Sequence, residues 1–246
     1  IIPCGTGKTV IGLHVGKNIT SDKIIIGVPC NLLISQWEDK ILDILPDHKI
    51  MCVSSKKKPK NSTSIYTTNE NKIKKFVENN DKIVVISNYQ SCNKLRPYKF
   101  NFKIGDECHH LSGKNKNKDG YRCFHNINSD KSLFLTATKR NIENISDNDT
   151  EIYSMDNIEQ FGNIIYEQNL RWAIDKGLVT DYNLIALKNN EDDINGIMRR
   201  CNIKDDNKEL FLSSYMTLKS LIKYDKLSHL FVYANSKTNS DKIIEY

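Results

Sequence analysis

Lys8 is where the chemistry of this chain can first be read. It stands in Pro3-Cys4-Gly5-Thr6-Gly7-Lys8-Thr9, after the β-branched pair Ile1-Ile2 and before Val10, Ile11, Leu13 and Val15 at helical spacing. A strand end, a turn of small residues and a helix start, in that order, build an anion cradle. Glycines at 5 and 7 let backbone N–H groups approach a polyphosphate, and the helix N-terminus adds partial positive charge. The Lys8 ammonium suits β- and γ-phosphates and the Thr9 hydroxyl suits Mg²⁺. The spacing therefore predicts a nucleoside triphosphate with Mg²⁺, bound by Gly5, Thr6, Gly7, Lys8 and Thr9. The strict G-x-x-x-x-G-K-[ST] pattern wants glycine where this chain has Ile2, and a chance Gly-rich turn ahead of a helix is the bland reading.

A second chemical pair, Asp106-Glu107, follows the candidate strand 102–105. Residues just past the carboxyl ends of strands in an open α/β sheet line the ligand crevice. Two neighbouring carboxylates can work differently there, with Asp106 holding Mg²⁺ and Glu107 polarising the attacking water. Alone, Asp-Glu after a strand is as readily a solvated acidic turn. Combined with the cradle at residues 5–9, it predicts hydrolysis of a nucleoside triphosphate.

Positioning these groups needs strands and helices in alternation. Apolar runs at 23–28, 49–53, 64–67, 82–87, 102–105 and 132–136 read as strands, several of them covered on both faces. Leu33, Trp37, Ile41 and Ile44 mark a helix over 31–45 before Pro46, and Ile73, Phe76 and Val77 mark another over 70–79. The expected fold is α/β, a mostly parallel sheet sandwiched by crossover helices. Residues 141–150 read as an exposed polar loop, with a helix around 170–176 and Gly177 as its C-cap. Beyond them come an apolar run at 182–187, a helical region to residue 224, a strand at 230–234 and a helix start at 238–246.

Composition narrows the class. The 246 residues are 39% hydrophobic and 27% charged, with net charge +6, which suits a globular chain and only mildly favours polyanionic partners. No apolar run is long enough to span a bilayer, so no membrane role is expected. The runs Lys56-Lys57-Lys58 and Lys114-Asn115-Lys116-Asn117-Lys118 read as solvated loops or as nucleic-acid contacts. Seven cysteines, widely spaced and without a CxxC pair, fit reduced thiols in a cytosolic or nuclear compartment. Cys108, His109, His110, Cys123 and His125 offer zinc-ligand types at a spacing that matches no common zinc module.

The chain resembles the DExH-type superfamily 2 helicases and translocases. Residues 3–9 resemble their motif I, Asp106-Glu107-Cys108-His109 motif II, and Leu135-Thr136-Ala137-Thr138 motif III. Val28-Pro29-Cys30, continuing to Gln36-Trp37, is similar to motif Ia, and Ser87-Asn88-Tyr89-Gln90-Ser91 to the next nucleic-acid-facing segment. Ala173-Ile174, Gly177-Leu178 and Tyr182 resemble the crossing toward a second lobe in the branch near repair translocases, restriction translocases and large-DNA-virus helicases. Residues 230–235 are weakly similar to motif IV.

The resemblance implies a RecA-like ATP-binding lobe over 1–180, with a crossing segment and the start of a second RecA-like lobe over 181–246. It implies an ATP-dependent helicase or translocase acting on DNA or RNA, inside a larger nucleic-acid-processing complex and of cellular or viral origin. It gives Lys8, Glu107 and His109 catalytic roles, Thr9 and Asp106 the metal, and Thr136 and Thr138 the coupling of ATP state to strand grip. Pro29, Asn31, Tyr89 and Ser91 are implied beside the phosphate backbone of a bound strand. Bland alternatives stay open: Asn31 as a helix cap, Tyr89 as core, Thr136 and Thr138 as strand ends. The family's lobe-two arginine has no counterpart here, and its adenine-reading segment is absent because the chain starts inside motif I, so the chain is expected to be truncated at both ends and weakly active alone. A duplex-DNA translocase that does not separate strands is one rival reading. A non-catalytic nucleic-acid-binding module with a vestigial ATP site is the other.

Overall fold

The computed structural model describes residues 1–246 except 20, 56, 61, 115–118, 143–151, 184–189, 205–207, 225–230 and 246. Two compact units divide the chain, Ile1–Asp181 and Tyr182–Tyr246.

The first unit opens with α1 (Lys8–Asn18), β1 (Lys23–Val28), α2 (Asn31–Ile44), β2 (Lys49–Val53), β3 (Ile65–Tyr66), α3 (Glu70–Glu78) and β4 (Ile83–Asn88). A 3₁₀ turn (Tyr89–Leu95) leads to β5 (Phe100–Asp106), and a second (Cys108–Leu111) to β6 (Gly113–Lys114), α4 (Asp119–His125) and β7 (Ser129–Leu135). The short elements β8 (Ile152–Tyr153) and α5 (Ile158–Phe161) precede α6 (Leu170–Asp175). Six strands form one sheet in the order β3-β2-β4-β1-β5-β7, and every pairing in it is parallel. All strand carboxyl ends therefore lie along one edge, where residues 28–31, 53–54, 88–91, 106–109 and 135–138 gather.

The Ile/Val filling explains the central strands. Every residue of β4 is buried, and β1 is buried from Ile24 onward, because helices cover both faces. Strand parity then sorts the core. Ile24, Ile26 and Val28 join Leu13 and Trp37 on the α1/α2 face, while Ile25 and Val85 join Tyr89 and Phe124 on the other. Gly27 and Gly105 are paired neighbours in β1 and β5. A Cβ on Gly27 would lie 2.4 Å from Phe124 and 2.6 Å from Tyr89, and one on Gly105 would lie 2.8 Å from Phe134. The two glycines are thus a trough that aromatic rings fill.

Strand β7 begins earlier than its apolar run implies, because Ser129-Asp130-Lys131 pair with β5 while remaining largely exposed. Backbone bonds continue the ladder past β7. Ile2 N donates to Thr136 O at 3.0 Å, Gln168 N to Ile1 O at 2.9 Å, and Ile1 N to Tyr166 O at 2.6 Å. Both 3₁₀ turns and α4 went unread in the sequence, since none carries a long apolar period. Gly177 has φ +66, the left-handed backbone of a helix stop.

The second unit holds α7 (Glu191–Arg200), α8 (Lys208–Lys223) and α9 (Lys237–Glu245). Ile194 and Met198 pack against Phe211, and Ser214 Oγ donates to Ile243 O at 2.8 Å. The strand expected at 230–234 is not formed at 231–234, where Phe231 and Tyr233 are 82% and 94% exposed. A strand exists through its neighbour's hydrogen bonds, and no described strand pairs with this segment. Residue 230, residues 184–187 of the apolar run, and most of the polar loop at 141–150 lie outside the described residues.

Among the described residues no three His, Cys, Asp or Glu side chains cluster as metal ligands, which removes the support for zinc. His125 instead packs among Phe134, Tyr153 and Phe161 at centroid distances of 5.5, 4.9 and 4.9 Å. The neighbouring Lys103 ammonium donates to the carbonyls of Phe124, His125 and Ile127 at the carboxyl end of α4. Burial, reinforced by Lys103, lowers the His125 imidazole to about 4 from 6.5. The unfolded chain therefore binds a proton that the folded one refuses between those values. This group's contribution is complete above pH 6.5 and is lost as pH falls toward 4, at about 1.4 kcal/mol per pH unit. Urea unfolding at pH 7 and pH 5 should show stability falling by about 2 kcal/mol, and His125→Phe should flatten that slope.

Candidate active site

Residues 1–9 enter the site from the sheet edge beside β7. Gly5 and Gly7 have φ +80 and +87, so both chain reversals use the left-handed backbone open to glycine. A Cβ on Gly7 would meet nothing within 4 Å, so the space above the loop is free, whereas one on Gly5 would press Val179 at 3.2 Å. Thr6 Oγ1 closes the turn by donating to Pro3 O at 2.7 Å. Gly7 then caps α1 with no side-chain bond to the first-turn N–H groups.

The cavity has a volume of about 530 Å³, and its lining includes Gly5, Gly7, Lys8, Thr9, Asp106 and Glu107. The cradle and the acid pair, far apart in sequence, thus share one space. Lys8 Nζ lies 3.5 Å from Glu107 Oε1 and 3.8 Å from Cys4 Sγ. Asp106 is 4% exposed, its Oδ2 accepting from Trp37 Nε1 at 2.8 Å and its Oδ1 from Glu107 N at 3.0 Å. Burial pushes the Asp106 carboxyl above its ordinary value, with the Glu107 charge adding to the push and the Trp37 bond opposing it. Each Asp106 oxygen keeps a lone pair for a further partner, which is the donor chemistry a Mg²⁺ ion takes.

Glu107 adopts φ +47 and ψ +49, left-handed backbone rare for a side chain of its size. That turn aims its carboxylate both ways, with Oε1 toward Lys8 and Oε2 3.5 Å from His109 Nδ1. His109 Nδ1 also lies 2.9 Å from Thr136 Oγ1. The Thr136 hydroxyl hydrogen goes to Thr138 O and its oxygen accepts from Thr138 N, so the imidazole Nδ1–H is the donor to Thr136. An unbroken chain of polar contacts thus runs from Lys8 through Glu107 and His109 to the turn at 136–138.

Of the four residues implied beside nucleic acid, three sit partly exposed at the strand-end edge: Pro29, Asn31 and Ser91. Asn31 Oδ1 accepts from Ser54 Oγ at 2.7 Å and Asn88 Nδ2 at 2.9 Å, and Asn88 Oδ1 accepts from Ser91 N. Asn31 is not the helix cap, a position that Cys30 occupies. Tyr89 is the correction. It is 0% exposed, fills the glycine trough, and donates its hydroxyl to Asp106 O at 2.6 Å, so it cannot touch a bound strand. Sequence reasoning missed both supports of Asp106, Trp37 and Tyr89. The available signal was that a buried indole or phenol has a polar end that needs a partner.

The family of the Type III restriction enzyme res subunit matches residues 1–141, a span holding the cradle, the acid pair and Thr138. The chain belongs to that family. The match bears out the resemblance to superfamily 2 helicases and translocases read from the motifs. Probable helicase A859L of African swine fever virus (isolate Pig/Kenya/KEN-50/1950) is 31% identical over 185 residues, covering 74% of this chain. The chain spans 20% of that relative's length. The corresponding protein of isolate Tick/South Africa/Pretoriuskop Pr4/1996 is 30% identical over the same length of alignment. A solved structure of the ATP-dependent Type ISP restriction-modification enzyme LlaBIII bound to DNA superposes with TM-score 0.55, covering 74% of this chain and 14% of that one. At 22% identity this likeness establishes the fold, a RecA-like α/β core.

Tyr89→Phe removes one hydroxyl and leaves the ring. Its expected cost is about 1 kcal/mol of stability in urea unfolding, with affinity for a nucleic-acid strand unchanged. A loss of strand affinity without a loss of stability would put Tyr89 back on the surface.

Proposed function

We propose that the chain is the Mg-ATP-hydrolysing lobe of a nucleic-acid helicase or translocase, with residues 181–246 forming the crossing segment and the start of a second lobe. The observation that carries the reading is the convergence of Lys8, Asp106 and Glu107 on one cavity, joined through His109 to Thr136. Gly5, Thr6, Gly7 and Lys8 bind the phosphates, and Thr9 and Asp106 hold the metal. Bound Mg²⁺ supplies charge neutralisation at the phosphates. Lys8 stabilises charge on the transferring group, and Glu107 accepts a hydrogen bond from the attacking water and aligns it. His109 passes the state of Glu107 to Thr136 and Thr138, whose turn borders the strand-end edge where Pro29, Asn31 and Ser91 face nucleic acid.

The complete trio of lysine and two acids argues against a vestigial site. The DNA-bound restriction enzyme of like fold and the helicase relatives support a nucleic-acid partner and a larger processing protein. Strand displacement measured beside triplex displacement separates unwinding from movement along an intact duplex.

Lys8→Ala should abolish ATP binding in a titration with a fluorescent analogue. Glu107→Gln should keep that binding and lower turnover by about 10²–10⁴-fold in the protein that carries both lobes. Unchanged turnover in Glu107→Gln removes the assignment.

A further inference from the structure

The segment 54–66 links β2 to β3 and contains four lysines and no acidic residue. Such a loop is ordinarily solvated and costly to order, yet this one is tied down at both ends. At its start, Ser54 Oγ donates to Asn31 Oδ1 at 2.7 Å, on the first residue of α2. Toward its end, Ser62 Oγ and Tyr66 OH donate to the two oxygens of Glu38 at 2.5 and 2.6 Å, two turns further along α2. Glu38 is 4% exposed. Burial pushes its carboxyl up, but hydrogen bonds from Ser62, Ser64 and Tyr66 outweigh that and hold it below its ordinary value. Between the ties, a turn closes from Ser62 N to Pro59 O at 3.2 Å.

Lys57, Lys58 and Lys60 stand on this strap, exposed and in no ion pair among the described residues. The strap flanks the amino end of α2, whose cap residue Cys30 makes no side-chain bond and whose first turn has no acid. The helix dipole at that end adds to the same positive field.

We propose that Lys57, Lys58 and Lys60 form a contact for the phosphodiester backbone of nucleic acid, separate from the strand-end residues and independent of base sequence. The proposal rests on the nucleic-acid reading above. Its energetic logic is pre-ordering: ties at Asn31 and Glu38 leave less loop entropy to lose when phosphates dock. Contacts of this kind release counterions, so they are read in the salt dependence of binding, about 0.9 of slope per phosphate on duplex.

The test uses the 246-residue chain and a fluorescein-labelled duplex of random sequence, by anisotropy from 50 to 200 mM salt. The variant K57Q/K58Q/K60Q should lower the slope of log K against log salt by about 2 to 3, with binding of a fluorescent ATP analogue and thermal unfolding unchanged. The variant K57R/K58R/K60R should keep the parental slope. A parental slope in the glutamine variant, or equal losses in both variants, overturns the contact while leaving nucleic-acid binding in place. No binding by the parent chain at 50 mM salt overturns this proposal together with the reading beneath it.

Discussion

Asp106 is a carboxylate with 4% exposure, and the geometry of the site depends on how that burial is tolerated. An unpartnered acid at such a place would be neutralised or would unfold its surroundings. Here the Trp37 indole N–H and the Glu107 backbone N–H each supply a donor, and the Tyr89 hydroxyl fastens the carbonyl of the same residue. These partners come from α2, from the turn after β5, and from the turn after β4. One buried acid therefore fixes three elements against one another and leaves its remaining lone pairs toward the cavity.

The glycine pair in β1 and β5 makes this possible at the level of packing. With no Cβ at Gly27 or Gly105, the rings of Tyr89, Phe124 and Phe134 sink to the sheet surface. Tyr89 then lies low enough for its hydroxyl to reach Asp106 O. The opposite face has its own close approach, where a Cβ on Gly12 would stand 3.0 Å from Leu135 and 3.3 Å from Trp37. Both sides of the sheet thus use absent side chains to bring aromatic groups under the acid.

All-parallel pairing supplies the other constraint. Because every strand of the main sheet points one way, the phosphate cradle, the acid pair, the Thr136 turn and the Asn31–Asn88–Ser91 cluster arise at a common edge. The left-handed backbone at Glu107 turns that proximity into contact, since it lets one carboxylate face Lys8 and His109 together.

Much of this was legible in the residues alone. Ile/Val-rich runs mark β1 and β4, the apolar run 50–53 marks β2, spaced Leu33, Trp37 and Ile41 mark α2, and Gly-Thr-Gly-Lys-Thr and Asp-Glu are short motifs whose chemistry depends on residue type at fixed spacing. Local patterns could not reveal that Tyr89 is a wall rather than a surface, because its neighbours in sequence do not include the glycines that admit it. Nor could they show that the polar start of β7 pairs with β5, or that 231–234 has no described strand to pair with, since pairing belongs to the partner. Which groups are suited to phosphate, metal and water could be read from residue types alone, because those capacities reside in single side chains and short turns. That Lys8 meets Asp106 and Glu107, and that Trp37 and Tyr89 hold the acid in place, follows from folding, because those contacts join residues far apart along the chain.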